Sequence, residues 1–276
     1  MVGVKERVDA LARSGADTPG VSLAASAWRR LRRNPVFLVG AMITTAFVLV
    51  AVASRWIAPH DPAAQLLFDQ VNKGRDQLPP PQDGFPLGGD QLGRDQFSRL
   101  IIGSRQTLLV GVFATLIGLA GGVLLGTLAG AFGGWVDTVV MRVVDVLLSI
   151  PNLLLAVSIA ALFSARTQFS VILAVAIVQI PIFARLLRGT MLSQRSSDHV
   201  LAARALGVRP RAIVLRHMLP NSLGPVIVQA TLVLATSIID AAALSFLGLG
   251  NIDSAKPEWG QMLGAAQDYF DTHFSL

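Results

Sequence analysis

Cysteine is missing from all 276 residues, which excludes a disulfide framework, a thiolate metal site and a cysteine nucleophile. Lysine is almost as scarce. Lys5, Lys73 and Lys256 are the only ones, and none stands in a G-x-x-x-x-G-K-[ST] frame, so the chain has no P-loop for ATP. The four histidines, His60, His199, His217 and His273, are scattered through the loops without a metal-ligand spacing. The serines lack the G-x-S-x-G frame of a hydrolase nucleophile. Charge is short as well: 14% of residues are ionic, against about a quarter in soluble domains. No catalytic set and no ordinary water-facing surface can be assembled from this inventory.

Apolar residues are abundant instead, at 53% of the chain with a mean hydropathy of +0.58. Residues 35–54, 106–136, 146–165, 167–184 and 218–239 approach or exceed the ~18–20 apolar residues that cross a bilayer core. The fold class is therefore all-α and polytopic, with five visible spans. The net charge of +6 is concentrated at membrane boundaries. Arg29, Arg30, Arg32 and Arg33 precede the first run, and seven arginines lie between Arg185 and Arg216 against Asp198 alone. That distribution is the positive-inside pattern, not a nucleic-acid footprint. The first run follows a long polar segment and has no cleavage-like site after it, so it reads as a retained anchor.

These boundaries predict a cytosolic tail (1–34), a first span (35–54) and an external loop (55–104). Spans at 105–130, 135–163 and 169–187 follow, then a cytosolic loop (188–219), a fifth span (220–247) and a second external loop (248–276). Pro35 suits the first turn of a helix, and Pro151 and Pro181 permit bends. In the first external loop Trp56, Phe68 and Phe85 are candidate anchors for a partner, or parts of a lid packed on the chain itself.

Two intramembrane patterns stand out. Gly118, Gly122, Gly126 and Gly130 recur every fourth residue, a groove that lets another helix backbone approach closely. Polar groups at membrane depth are few: Gln179, Asp240 and Ser245 are possible pathway residues, with Asp145, Ser149 and Asn152 around Pro151.

Within the cationic loop, Leu201–Asn221 is patterned as two short helices. Ser196, Ser197 and Asp198 offer N-cap chemistry, Gly207 a stop, Pro210 a second start, and Pro220 a break before the next run. A structured, basic, cytosolic loop is a docking element for another protein; lying on the lipid surface as an amphipathic hairpin is the alternative.

This segment resembles the EAA loop of bacterial ABC-importer permeases, E-A-A-x-x-x-G followed by a closing L-P. Ala202 and Ala203 match the alanines, Gly207 the glycine and Leu219-Pro220 the close, while Leu201 stands in place of the usual glutamate. Arg29–Pro35, Leu87–Asp95, Ala131–Asp137, Met141–Pro151, Ala243–Gly250 and Pro257–Leu263 are similar to the C-type permease of dipeptide and oligopeptide importers. The resemblance implies a type I permease bundle in the bacterial inner membrane with a cytosolic N-terminus. It implies a partner permease, two cytosolic ATPases carrying ATP and Mg, and an external peptide-binding protein, with no cofactor on this chain. Ala202, Ala203, Arg204, Gly207, Arg209 and Arg211 then become the ATPase-coupling residues. The family also carries nickel and other small solutes, and a stand-alone secondary transporter or channel is the reading outside it. A sixth span belongs to the family pattern; the sequence ends at Leu276 before such a run, as a truncated chain would.

Overall fold

The computed structural model describes residues 23–71, 78–251, 253 and 255–269. The readings of the N-terminal tail before residue 23, of Lys73, and of His273 lie outside the described residues. By internal contacts the chain divides into two units, Met1–Leu49 and Val50–Leu276.

In the first unit a short helix, α1 (Leu23–Leu31), precedes α2 (Pro35–Ile57), whose last residues belong to the second unit. The Arg32 guanidinium lies over the Trp28 ring at 4.9 Å. Asn34 starts α2: its Oδ1 accepts from the amides of Val36 (3.0 Å) and Phe37 (3.3 Å), leaving Pro35 at the first position where no N–H is needed. Val36, Val39, Met42 and Ile43 are exposed, as on a helix that meets lipid or another apolar surface.

The second unit is built on α3 (Gln96–Phe132), 37 residues and about 55 Å long. It begins nine residues before the predicted 105, a correction with a local cause. Asp95 caps the helix by accepting from the amides of Phe97 and Ser98, and the polar first turns are buried against neighbouring structure. A charge-free criterion stops at Arg105; satisfied polar groups let the helix run on. Gly133, at φ +67°, closes it.

The predicted single span at 135–163 is two helices, α4 (Gly134–Ser149) and α5 (Asn152–Ala161), bent by 97°. Ile150 is extended because Pro151 disfavours helical geometry in the residue before it. Next, α6 (Gln168–Gln194) opens with a Thr167–Ser170 capping box and runs past the predicted end at 187. It tolerates Arg185 and Arg188 because Asp145 and Asp137 of α4 accept from them.

After α7 (Asp198–Ala205) the chain forms one long helix, α8 (Pro210–Phe246). The predicted break at Pro220 is therefore corrected. Residues Ile213–Met218 wind as a π-helix, a wider turn that accommodates the missing proline donor. The Asn221 side chain donates to the His217 carbonyl at 2.6 Å beside it. Finally, 248–276 is more than a loop: α9 (Trp259–Ala266) packs on α8 and α3. Among the described residues four helices are long and apolar enough to cross a membrane, five when the bent pair counts as one.

Packing centres on α3 against α6. One buried cluster joins Val110, Ala114, Ala156, Val175 and Leu244; another joins Phe183, Leu187, Met191, Val200 and Met218 beside the loop helix.

Candidate coupling loop and translocation pathway

Only three residues separate the end of α6 from α7, so the cationic loop is mounted directly on a long helix. Val200 and Ala203 anchor α7 in the core, leaving Leu201, Ala202 and Arg204 exposed on its outer side. Ser197 occupies the N-cap position but makes no capping bond; its hydroxyl donates back to the Gln194 carbonyl at 2.6 Å. The helix ends in a Schellman motif. Val208 N–H bonds to the Ala203 carbonyl, and Gly207 N–H to that of Arg204, both at 3.0 Å. Gly207 has φ +73°, and a Cβ there would meet nothing within 4 Å. Its glycine is thus set by backbone conformation and not by local crowding.

The arginines of the loop fall into two groups. Arg188 takes Asp137 by two bonds, Arg185 pairs with Asp145, and the Arg195 Nη2 donates to the Ala131 carbonyl at 2.8 Å. Among the described residues no acidic side chain pairs with Arg204, Arg209 or Arg211, which are exposed. Leu206 (83% exposed) and Leu215 (59%) extend this cationic surface with an apolar rim. A groove of about 380 Å³ adjoins it, between Thr127, Leu128 and Phe132 of α3 and Pro210, Arg211 and Leu215 of α8. Sequence reading found the arginines but not their division. The signal was present: Asp137 and Asp145 stand eight residues apart, and Arg185 and Arg188 three apart, each pair on one helix face.

The four glycines line a seam within the subunit. A Cβ on Gly118 would fall 2.9 Å from Gln179 Cβ; on Gly122, 2.3 Å from Phe183 Cβ; on Gly126, 2.8 Å from the Ala184 carbonyl oxygen; and on Gly130, 2.9 Å from Met191 Cβ. Helix α6 therefore lies on the bare backbone of α3 over about three turns.

Of the pathway candidates, Gln179 and Asp240 meet. Gln179, 1% exposed, donates through Nε2 to Asp240 Oδ2 at 3.2 Å across α6 and α8. Ser245 belongs to a different cluster, bonding to Glu258 under α9. Glu258, which sequence reading missed, is buried and caps α9 by accepting from Gly260 N–H at 3.2 Å. Burial pushes its carboxyl above the ordinary glutamate value, against hydrogen bonds from Ser245 and from the amides of Gly260 and Gln261. An acid directly before a Trp-Gly helix start was the available signal. A cavity of about 20 Å³, room for about one water, opens beside Glu258 among Gln106, Gln168, Asn251 and Lys256.

Before α3 begins, the residues around Asp90 and Asp95 form a polar layer. Asp90 accepts from the Arg94 Nε at 2.8 Å and pairs with Arg99 at 3.3 Å, all buried. His60 Nδ1 lies 3.0 Å from Asp95 Oδ2, with Phe85 stacked on the imidazole at 4.5 Å. Phe85 is thus engaged inside the subunit, whereas Trp56 (83% exposed) and Phe68 (52%) project outward.

Comparison with known proteins gives two family matches. The family described as binding-protein-dependent transport system inner membrane component matches residues 122–274, and the N-terminal TM domain of oligopeptide transport permease C matches residues 22–80. A dipeptide transport system permease protein of Alkalihalophilus pseudofirmus is 39% identical over 246 residues, covering 89% of this chain and 78% of the relative. A glutathione transport system permease protein of Escherichia coli is 43% identical over 240 residues, 87% and 77% of the two chains. The inward-facing MetNI methionine ABC transporter shares the fold, with a TM-score of 0.50 and 24% identity over 64% of this chain and 84% of that one.

Proposed function

The chain belongs to the binding-protein-dependent inner-membrane components, as a permease subunit of an ATP-driven importer, and from that premise we propose that its cargo is a short peptide. The observation that carries the cargo is the identity of the relatives. Permeases named for dipeptide and for glutathione, itself a tripeptide, align with almost nine-tenths of the chain.

In this reading the subunit pairs with a second permease, two cytosolic ATPases hold Mg-ATP, and an external binding protein delivers the peptide. The N-terminus lies in the cytosol of a bacterium, on the same side as the loop 188–219, and this follows from the arginine distribution. Helix α7 seats in the ATPase. Ala202 and Gly207 offer little bulk, Ala203 fixes the helix to the bundle, and Arg204, Arg209 and Arg211 set register at the rim. Leu201 keeps an apolar contact where the family's glutamate would place a charge. The short link from α6 to α7 supports direct transfer of ATPase closure into the bundle, provided the nucleotide state distinguishes the two conformations. The seam Gly118–Gly130 holds α3 to α6 during that motion, and Gln179, Asp240 and Ser245 line or border the route.

The test is uptake of labelled di- and tripeptides by proteoliposomes holding this subunit with its partner permease, ATPases and binding protein. ATP-dependent accumulation is expected. Transport of nickel in place of every peptide would reassign the cargo, and gradient-driven uptake by this chain alone would remove the ATPase partnership.

A further inference from the structure

On α8, Gln229, Thr236 and Asp240 recur at seven and four residues. At 100° per residue they fall within about 40° of one another on the helix circumference. The stripe runs along the seam between the buried face (Val226, Val233, Leu244) and the open face (Leu232, Ile239). Asp240 is the only acid in the 37 residues of α8. A carboxylate at that depth is expensive unless matched by a positive charge. Its partner from the protein is a neutral amide, Gln179 Nε2 at 3.2 Å, and among the described residues no cation pairs with it.

Gln179 supplies the second observation. Its side chain is 99% buried, by its 1% exposure, and its Oε1 has no hydrogen-bond partner. Its Cβ lies against the bare backbone at Gly118, where a Cβ would fall 2.9 Å away, and its amide is oriented by the bond to Asp240. An oriented donor fixes the carboxylate, and the carboxylate's free lone pairs remain for a ligand. Thr236 donates its hydroxyl to the Val233 carbonyl at 3.1 Å, which leaves the hydroxyl oxygen available as an acceptor. From Asp240 to Gln229 the stripe measures about 16 Å, the length of about five extended residues.

We propose that Asp240, held by Gln179, is the subsite in the pathway that receives the primary ammonium of the peptide N-terminus, with Thr236 and Gln229 following the peptide backbone. The proposal rests on the peptide-permease reading above. It gives the pathway a polarity, because one end of the cargo is recognised by charge and the rest by backbone amides common to all peptides.

The experiment compares trialanine with N-acetyl-trialanine in proteoliposomes holding the full complex and loaded binding protein. The wild-type complex should prefer the free amine. Asp240→Asn should collapse that preference about tenfold or more, by lowering trialanine uptake without lowering uptake of the acetylated peptide in proportion. Asp240→Glu should restore it. Equal loss for both peptides in an assembled complex would overturn the ammonium site and make Asp240 a structural residue. Unchanged preference would overturn it too, while leaving peptide transport intact. Failure of the wild-type complex to carry either peptide would instead remove the reading on which the site rests. Asp240→Cys guards against a folding defect, since it creates the only thiol in this subunit. An anionic sulfonatoethyl label should restore the preference and a cationic aminoethyl label should not. Equal behaviour of the two labels would overturn the proposal.

Discussion

Arg188 holds Asp137 with two parallel hydrogen bonds, Nε to Oδ1 at 2.8 Å and Nη2 to Oδ2 at 2.6 Å. The pair joins α6 to α4 at the side of the bundle that carries the loop, and a planar fork suits a carboxylate in a way an ammonium cannot. Arg188→Lys should therefore lower stability by about 1 kcal/mol, the partial exposure of both groups limiting the effect. The midpoint of thermal unfolding in detergent measures it. Asp137→Asn should behave alike, and the double variant should lose less than the sum of the two, as expected for residues in contact.

Gly122 tests the seam. A methyl group there would sit 2.3 Å from Phe183 Cβ and 2.9 Å from the Ile180 carbonyl oxygen, and the second contact is backbone that cannot rotate away. Gly122→Ala should destabilise the subunit by about 1–3 kcal/mol. The amount of folded protein recovered after graded heating reads this out, and unaltered recovery would mean that α3 and α6 do not meet at this register.

Gly207 separates conformation from crowding. With open space around it and φ at +73°, any penalty that arises within the subunit must come from the backbone. Asparagine tolerates this region better than valine, so Gly207→Asn should keep most peptide-stimulated ATP hydrolysis and Gly207→Val should abolish it, with both subunits still inserted. Wild-type hydrolysis in the valine variant would count against docking through α7.

Glu258 predicts a pH effect. Burial raises its folded carboxyl above the ordinary 4.5, so the protonated acid is the form the folded chain favours. The group contributes stability that is complete below that ordinary value and is lost as pH rises through the raised folded value. Glu258→Gln keeps an acceptor for Gly260 N–H and removes the titration. Its unfolding temperature should exceed that of wild type at pH 8 and converge toward it near pH 4. Parallel curves would show that Glu258 does not supply the dependence.

Much of the architecture was legible in the sequence because lipid imposes a simple rule: long charge-free runs become helices. The rule failed where polar residues satisfy one another. Helix α3 begins early because Asp95 caps it, and α6 runs late because Asp137 and Asp145 receive its arginines; pairing between distant segments leaves little trace in a hydropathy window. Proline was read with mixed success. Pro151 breaks a span, whereas Pro220 is absorbed by a π-helical turn, and the difference lies in the geometry of the preceding turn. In the candidate loop, Gly207 and Pro210 were readable because both act on their own backbone. The sorting of the arginines into paired and free, and the role of Glu258, depend on tertiary neighbours.

The mechanical consequence of the glycine seam is low compliance. Side chains between helices act as short springs, each able to change rotamer and absorb part of a displacement. Between α3 and α6 those springs are missing at Gly118, Gly122, Gly126 and Gly130, so one backbone bears on atoms that cannot yield. A push of one ångström arriving through α7 would then emerge at the far end of α3 with little attenuation, and residues outside the seam would have to supply whatever softness the motion needs.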